Sequence, residues 1–174
     1  MDSRATIGFR RPTLTAFSLL AAGALLFGLQ WALGGRAVPS YAQTTTRYVA
    51  PGGSDVSNTC SASITPCQTI QHAVDVAHSG DEVRVATGVY TGVQARATIT
   101  QVVYISRTVT VRGGYTTTNW AMAHPITQPT TLDAQGLGRA MVISGTITPT
   151  VEGLRITGGD ASELGGGPLG NDAG

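Results

Sequence analysis

The side chains of this sequence that most resemble a set of catalytic residues are its carboxylates. Seven of them follow residue 80, namely Asp81, Glu82, Asp133, Glu152, Asp160, Glu163 and Asp172. A glycosidase site needs two carboxylates only a few ångströms apart. The position 22 residues beyond Asp133, which is one repeat of the pattern described below, is Arg155, so alignment of repeats brings no two acids together. The sequence therefore predicts no catalytic residue, and we interpret the acids as turn caps and solubilising groups.

Two arginines occupy outward positions in predicted strands, each close to a pair of glycines. Arg112 precedes Gly113, and Arg155 lies just before Gly158. Because guanidinium groups bind carboxylates in a bidentate manner, an outward stripe of such residues would suit a carboxylate-bearing polymer. The other interpretation is a solvated face with no ligand.

Three aromatic residues, Trp120, Tyr115 and Tyr104, offer flat surfaces on which a sugar could stack. The alternative is that these rings cover a loop against the core.

The histidines are not placed to share a metal ion, because His72 and His78 are six positions apart. That spacing is about 240° around a helix, so the two rings cannot bind one metal ion. The sequence predicts no cofactor-binding or metal-binding residue.

The first 42 residues have the composition of a targeting segment. Three arginines precede an apolar run over residues 14–33, and small residues at Ser40 and Ala42 have the spacing that a signal peptidase reads. We therefore predict that residues 1–42 are a signal peptide. The run is also about 20 residues long, which is enough for a helix that spans a bilayer, so an uncleaved membrane anchor stays open. Either way, residues 43–174 are predicted to be secreted or to lie at the cell surface.

Charge is scarce in this chain of 174 residues, of which 12% are charged, against about 25% in an average soluble chain. All 11 basic residues are arginine, and the formal net charge is +1. Loss of four arginines and one aspartate with the first 42 residues leaves a net charge of −2. This composition excludes a basic nucleic-acid-binding protein.

Both cysteines, Cys60 and Cys67, fall in the segment that is predicted to be exported. In an oxidising compartment such a pair usually forms a disulfide. The loop it would close is short, so the expected stabilisation is only about 2.5 kcal/mol. Two free thiols are the alternative, since a metal site would need further ligands with suitable spacing and the sequence shows none nearby.

One segment has the periodicity of a helix. Its apolar stripe consists of Ile70, Ala73, Val74 and Ala77. Two starts are possible, because Thr65 begins a capping-box spacing followed by proline, whereas Thr69 would cap a shorter helix. Gly80 is a natural stop at the other end.

After Gly80 the apolar residues alternate with polar ones, which is typical of strands with one buried face. Four pairs of apolar residues, each pair separated by one residue, begin at Val83, Val109, Leu132 and Leu154. The spacings between them are 26, 23 and 22 residues, and a unit that recurs at this length is typical of a solenoid. No helical stripe follows Gly80, so we predict an all-β solenoid, a parallel β-helix whose first coil is covered by the helix around residues 70–77.

Six segments resemble a known family. They are YVAPGGSD at 48–55, PCQTIQ at 66–71, GDEVRV at 80–85, GVY at 88–90, RGGYTTTNW at 112–120 and LRITGG at 154–159. They resemble right-handed parallel β-helix proteins of the pectate-lyase-like superfamily, in its branch of large bacterial surface proteins. The resemblance covers residues 47–167 and implies a right-handed β-helix. Because members of this superfamily usually have many more coils, the resemblance also implies that residues 43–174 are the N-terminal cap and first coils of a β-helix that is truncated at its C-terminus.

The resemblance implies fold more strongly than function, since this fold carries lyases, hydrolases and adhesins. Polysaccharide lyases of the superfamily use clustered aspartates for calcium and an Arg or Lys base, and no such cluster is visible in this sequence. We therefore expect an exported, non-catalytic scaffold that serves adhesion or surface binding, with surface polysaccharide as the candidate partner and no nucleic acid. A membrane is a partner only if residues 14–33 remain as an anchor. The alternative is the N-terminal part of a polysaccharide lyase or hydrolase whose catalytic coils are missing.

Overall fold

The computed structural model describes residues 44–96 and 98–162, all of which belong to the second of the two units into which the chain divides, Ala42–Gly174. The predicted signal peptide or anchor, residues 1–42, lies outside the described residues, as do residues 163–174 at the end where the β-helix is predicted to be truncated. In chain order the elements are β1 (Thr46–Val49), α1 (Ile70–Val76), β2 (Glu82–Ala86), β3 (Gly88–Tyr90), β4 (Gln94–Arg96), β5 (Ile99–Ile105), β6 (Thr110–Tyr115), β7 (Thr130–Asp133), β8 (Arg139–Ile143), β9 (Thr150–Glu152) and β10 (Leu154–Thr157).

The strands form three small sheets. The first has the order β1-β2-β6-β9, the second β10-β7-β3 and the third β4-β5-β8. Every pair is parallel except β4 with β5, which is antiparallel. The side chains of Val83, Val85 and Val111 point from the first sheet into the core, while the residues between them point outward, as the pleat requires.

The prediction of a right-handed parallel β-helix is wrong. The described residues form several small sheets, with no solenoid of equal coils and no closed sheet among them. The residues expected to stack, Val83 and Leu132, lie in different sheets. Within the first sheet, the separations between successive partners are 36, 28 and 40 residues, along the row Thr46, Glu82, Thr110 and Thr150.

The physical reason for the error lies in the connections between strands. Alternation tells which face of a strand is buried, but it does not determine which strand pairs with which. Residues 116–129 separate β6 from β7, and β7 pairs with β3 and β10 rather than with β6. The nearly even spacing of the apolar pairs along the chain therefore includes that loop, and it does not correspond to a single stack of strands.

The predicted helix is confirmed as α1, and its N-cap is Thr69 rather than Thr65. The Thr69 hydroxyl accepts a hydrogen bond from the His72 amide at 3.1 Å. Ile70, Ala73 and Val74 are buried, as the stripe predicted. The helix contacts β1, β2 and β5, so it is part of the core of this unit rather than a plug over a coil.

The outer edge of β1 is covered by the segment 50–67, in which the Cys60–Cys67 disulfide closes a loop over residues 60–67. The predicted disulfide is thus confirmed. Two backbone hydrogen bonds attach the loop to the strand: the Tyr48 amide donates to the Cys60 carbonyl at 2.7 Å, and the Cys67 amide donates to the Tyr48 carbonyl at 2.8 Å. An edge that is paired in this way cannot recruit another strand.

Gly53 packs so closely beneath this loop that any side chain should disturb it. A Cβ atom there would lie 2.4 Å from the carbonyl oxygens of Pro66 and Cys67, both of which are backbone atoms. We expect Gly53→Ala to lower the free energy of unfolding by about 1–3 kcal/mol, measured by urea denaturation. Gly52→Ala is the matched control, because nothing lies within 4 Å of the Cβ it would add. Equal stability of the two variants would contradict this prediction.

Candidate ligand-binding surface

A row of large side chains crosses the outward face of the first sheet. Tyr48 on β1 is the register partner of Arg84 on β2, Arg84 is the partner of Arg112 on β6, and Arg112 is the partner of Glu152 on β9. Each of these residues alternates with a residue whose side chain is buried or partly buried on the opposite side. The four side chains therefore lie side by side, although up to 104 positions separate them along the chain.

Ion pairs connect the charged members of this row. Glu82 accepts hydrogen bonds from Arg84 Nε at 2.9 Å and Nη2 at 2.8 Å through one oxygen, and from Arg112 Nη1 at 3.0 Å through the other. Arg112 also donates to Glu152. The hydrogen bond with Glu82 raises the pKa of Arg84. Two cations and two anions balance, so this face carries no net charge that would select an ionic ligand.

An aromatic cluster adjoins the row. The ring of Trp120 contacts Tyr48 edge-on, with 5.0 Å between centroids, and lies 6.2 Å from the ring of Tyr115. Arg84 joins the cluster to the row, since its guanidinium lies 5.5 Å from the centroid of Tyr115 and donates to the Trp120 carbonyl at 2.5 Å. The indole is therefore packed against two tyrosine rings, in edge-on and tilted geometries.

Beside Trp120 lies an open groove of about 540 Å³, which we call the indole groove. Its lining consists of Ala50, Pro51, Gly52, Ser63, Ile64, Pro66, Thr117, Thr118 and Trp120. The lining thus includes both apolar and hydroxyl groups, and Ile64 on its wall is 90% exposed. The indole Nε1 is buried and has no hydrogen-bond partner among the described residues. A buried donor without a partner is unusual in a folded protein.

The structure assembles only some of the residues that the sequence singled out. Trp120 and Tyr115 are adjacent, whereas Tyr104 lies on β5 in the third sheet. Arg112 and Arg155 form no stripe, because Arg155 lies on β10 in the second sheet, where its partner is Thr131. Of the two interpretations of these arginines, the outward stripe is therefore wrong.

Two residues of the surface were missed, Tyr48 and Arg84. Arg84 lies at an outward position of a predicted strand, so alternation identified its face. Only the pairing of β1 with β2 shows that they lie together.

The acidic residues that the structure describes are held in contacts of several kinds. Asp133 and Asp160 cap turns through the amides of Gln135 and Ser162, at 2.8 Å each, as the interpretation of turn caps expected. Asp81 is instead buried in an ion pair with Arg47. Glu82 and Glu152 both accept hydrogen bonds from Arg112. Glu163 and Asp172 lie outside the described residues.

The structure also changes the view of the cysteines. No further metal ligand near Cys60 and Cys67 was predicted from the sequence, but the ring of His72 lies close enough that one nitrogen and both sulfurs are within 4.8 Å of one another. His78, the histidine weighed together with His72, lies beyond the end of α1 and is mostly exposed. Because His78 is not part of α1, the helical spacing of about 240° does not apply to these two histidines.

Within the part of the chain that the structure describes, no helix combines the length and the apolarity needed to cross a membrane. Comparison of the chain with protein-family models, curated proteins and solved structures found no match. The resemblance to the pectate-lyase-like superfamily therefore stays a prediction.

Proposed function

We propose that this chain is an exported, non-catalytic protein of the cell surface or the secreted fraction that binds a neutral polysaccharide in the indole groove. The observation that carries the proposal is Trp120, whose indole lines the groove while its buried Nε1 has no partner. Indole is a donor only, so a hydroxyl oxygen of a ligand would satisfy it. The Nε1 atom would have to become accessible as the ligand enters, through a small displacement of the ring.

The chemistry of the groove favours a sugar over other ligands. A sugar ring has apolar C–H faces and hydroxyl edges, and the groove offers an indole, Ile64 and two prolines alongside the hydroxyl groups of Ser63, Thr117 and Thr118. Binding sites typically combine an apolar lining with a few such polar groups. The adjoining row of ion pairs balances its own charge, which favours a neutral saccharide over an acidic one.

Export is supported by the disulfide. Structural disulfides persist in oxidising compartments and are rare in the cytosol. The Cys60–Cys67 bond also shapes the groove, because Ser63, Ile64 and Pro66 all lie between or beside the two cysteines. A groove whose wall is held by a disulfide is suited to conditions outside the cytoplasm.

The test uses the intrinsic fluorescence of Trp120. The chain has two tryptophans, Trp31 and Trp120, so a Trp31→Phe variant reports on the groove alone. We expect soluble mannan or β-glucan to change this emission and polygalacturonate to bind at least tenfold more weakly. By calorimetry, Trp120→Ala should weaken binding of the neutral polymer at least tenfold, or about 1.4 kcal/mol. Met122→Ala, which removes an exposed side chain outside the groove lining, should leave the affinity unchanged.

Two results would contradict the proposal. Equal affinity of Trp120→Ala and Met122→Ala for the neutral polymer would exclude the indole groove as the site. Release of unsaturated or reducing sugar from any of the three polymers would contradict the non-catalytic part and favour a polysaccharide lyase or hydrolase.

A further inference from the structure

The disulfide and a neighbouring histidine form the only cluster of three candidate metal ligands among the described residues. One atom each of Cys60, Cys67 and His72 lies within 4.8 Å of the other two. Both cysteines are buried, and His72 is partly buried. Thiolate and imidazole groups are the ligands that Zn²⁺ prefers.

Separate parts of the fold fix each member of this cluster. Backbone hydrogen bonds to Tyr48 hold both cysteines against β1, whether or not their sulfurs are bonded to each other. His72 lies in the first turn of α1, which begins three residues after Cys67. Because these contacts are independent of the disulfide, reduction should leave the two sulfurs and the ring close together.

A backbone carbonyl contacts two of the three side chains. The Asn58 oxygen lies 2.7 Å from Nε2 of His72 and 3.9 Å from Sγ of Cys67. A carbonyl at a ring nitrogen is the kind of outer partner that orients histidines in metal sites. The Asn58 side chain is itself held by the carbonyls of Ser54 and Thr65, so this contact belongs to an ordered loop.

From these observations we propose that the reduced protein binds one Zn²⁺ ion through Cys60, Cys67 and His72, with the fourth coordination position left to water. The disulfide and the metal use the same two sulfurs, so they exclude each other. Zinc therefore favours the reduced form by mass action.

The chemistry balances with a phosphine as the reductant. The phosphine attacks one sulfur and breaks the S–S bond, and water then supplies the oxygen of the phosphine oxide and the two protons of the new thiols. The disulfide gains two electrons and the phosphorus loses two. On metal binding, two Zn–S bonds form and the two thiol protons pass to solvent.

Cobalt(II) is the probe, because its bound thiolates and its coordination geometry are visible in the absorption spectrum. The full chain is reduced with a phosphine under anaerobic conditions and titrated with Co²⁺. We expect one equivalent to bind, with a thiolate-to-cobalt charge-transfer band and tetrahedral d–d bands, and Zn²⁺ to displace it. The oxidised chain should show neither band.

His72→Ala is the decisive variant, and His78→Ala is its matched control, since His78 is exposed and lies outside the cluster. We expect His72→Ala to bind Co²⁺ at least tenfold more weakly and His78→Ala to bind like the unmodified chain. His72→Cys should restore tight binding with a stronger charge-transfer band, which separates loss of a ligand from loss of folding. Circular dichroism of each reduced variant records whether it is folded.

The proposal is overturned if the reduced chain binds no Co²⁺, or if His72→Ala and His78→Ala bind it equally well. It is also overturned if His72→Cys, folded by circular dichroism, binds no better than His72→Ala.

Discussion

Replacement of Asp81 by alanine is expected to lower the free energy of unfolding by about 3–5 kcal/mol. Asp81 is only 2% exposed, and one of its oxygens accepts hydrogen bonds from Arg47 Nη2 at 2.9 Å and Nε at 3.1 Å. It also accepts from the amides of Thr45 and His78, at 2.9 Å each. Alanine would leave the buried guanidinium without its counter-charge and two amides without an acceptor.

Urea denaturation of Asp81→Ala, with Asp160→Ala as the control, measures this effect. Asp160 is exposed and its carboxylate bonds only within its own turn, so loss of that side chain should change stability by no more than about 0.5 kcal/mol. The double variant Arg47→Met, Asp81→Leu should recover much of the lost stability, because it removes both charges together. Similar unfolding midpoints for Asp81→Ala and Asp160→Ala would show that the buried pair does not stabilise the fold.

The Asp81 carboxylate should also make the free energy of unfolding depend on pH in the acidic range. Burial raises the pKa of Asp81, but hydrogen bonds from the amides of His78 and Thr45 and from Arg47 outweigh it, and the pKa lies below the usual value of 3.8. Its contribution is therefore complete only above about pH 5, where the carboxyl is ionised in both states, and is lost as the pH falls through the usual value and then through the lower pKa of the folded protein. Asp81→Ala should lose less stability over that interval than the unmodified chain.

Features that depend on neighbouring residues in the chain could be predicted from the sequence. The stripe Ile70, Ala73 and Val74 is buried, and the cysteines seven positions apart are bonded. The choice between the two helix starts could not be made in that way. Cys67 is held in an extended bridge beside Val49, which keeps the chain out of the helical conformation until Thr69. That contact joins residues 18 positions apart, and no capping pattern reveals it.

Features that depend on which strands pair could not be predicted. The outward position of Arg84 follows from alternation, but its contacts with Tyr115 and Trp120 require β2 to lie beside β6 and the loop after β6 to fold back over the sheet. The metal cluster was missed for a similar reason. Position along the chain relates His72 to His78, whereas its close neighbours in space are the two cysteines.

Leu132 is the inward residue whose replacement should test the pairing of the second sheet. Leu132 lies on β7, the central strand of the second sheet, between Tyr90 on β3 and Ile156 on β10. It is fully buried. Leu132→Ala is expected to lower the free energy of unfolding by about 2–5 kcal/mol, since it removes the buried side chain and leaves a cavity that strands on both sides prevent from closing.

Thr131 is the matched control, because it occupies the adjacent position on the opposite face, beside Val89 and Arg155, both of which are exposed. Thr131→Ala should cost no more than about 0.5 kcal/mol in the same urea denaturation experiment. The contrast is specific to the observed register, because a shift of β7 by one residue would exchange the two faces. If Thr131→Ala proved as costly as Leu132→Ala, or more so, then the inward face assigned to β7, and with it the pairing of the second sheet, would be incorrect.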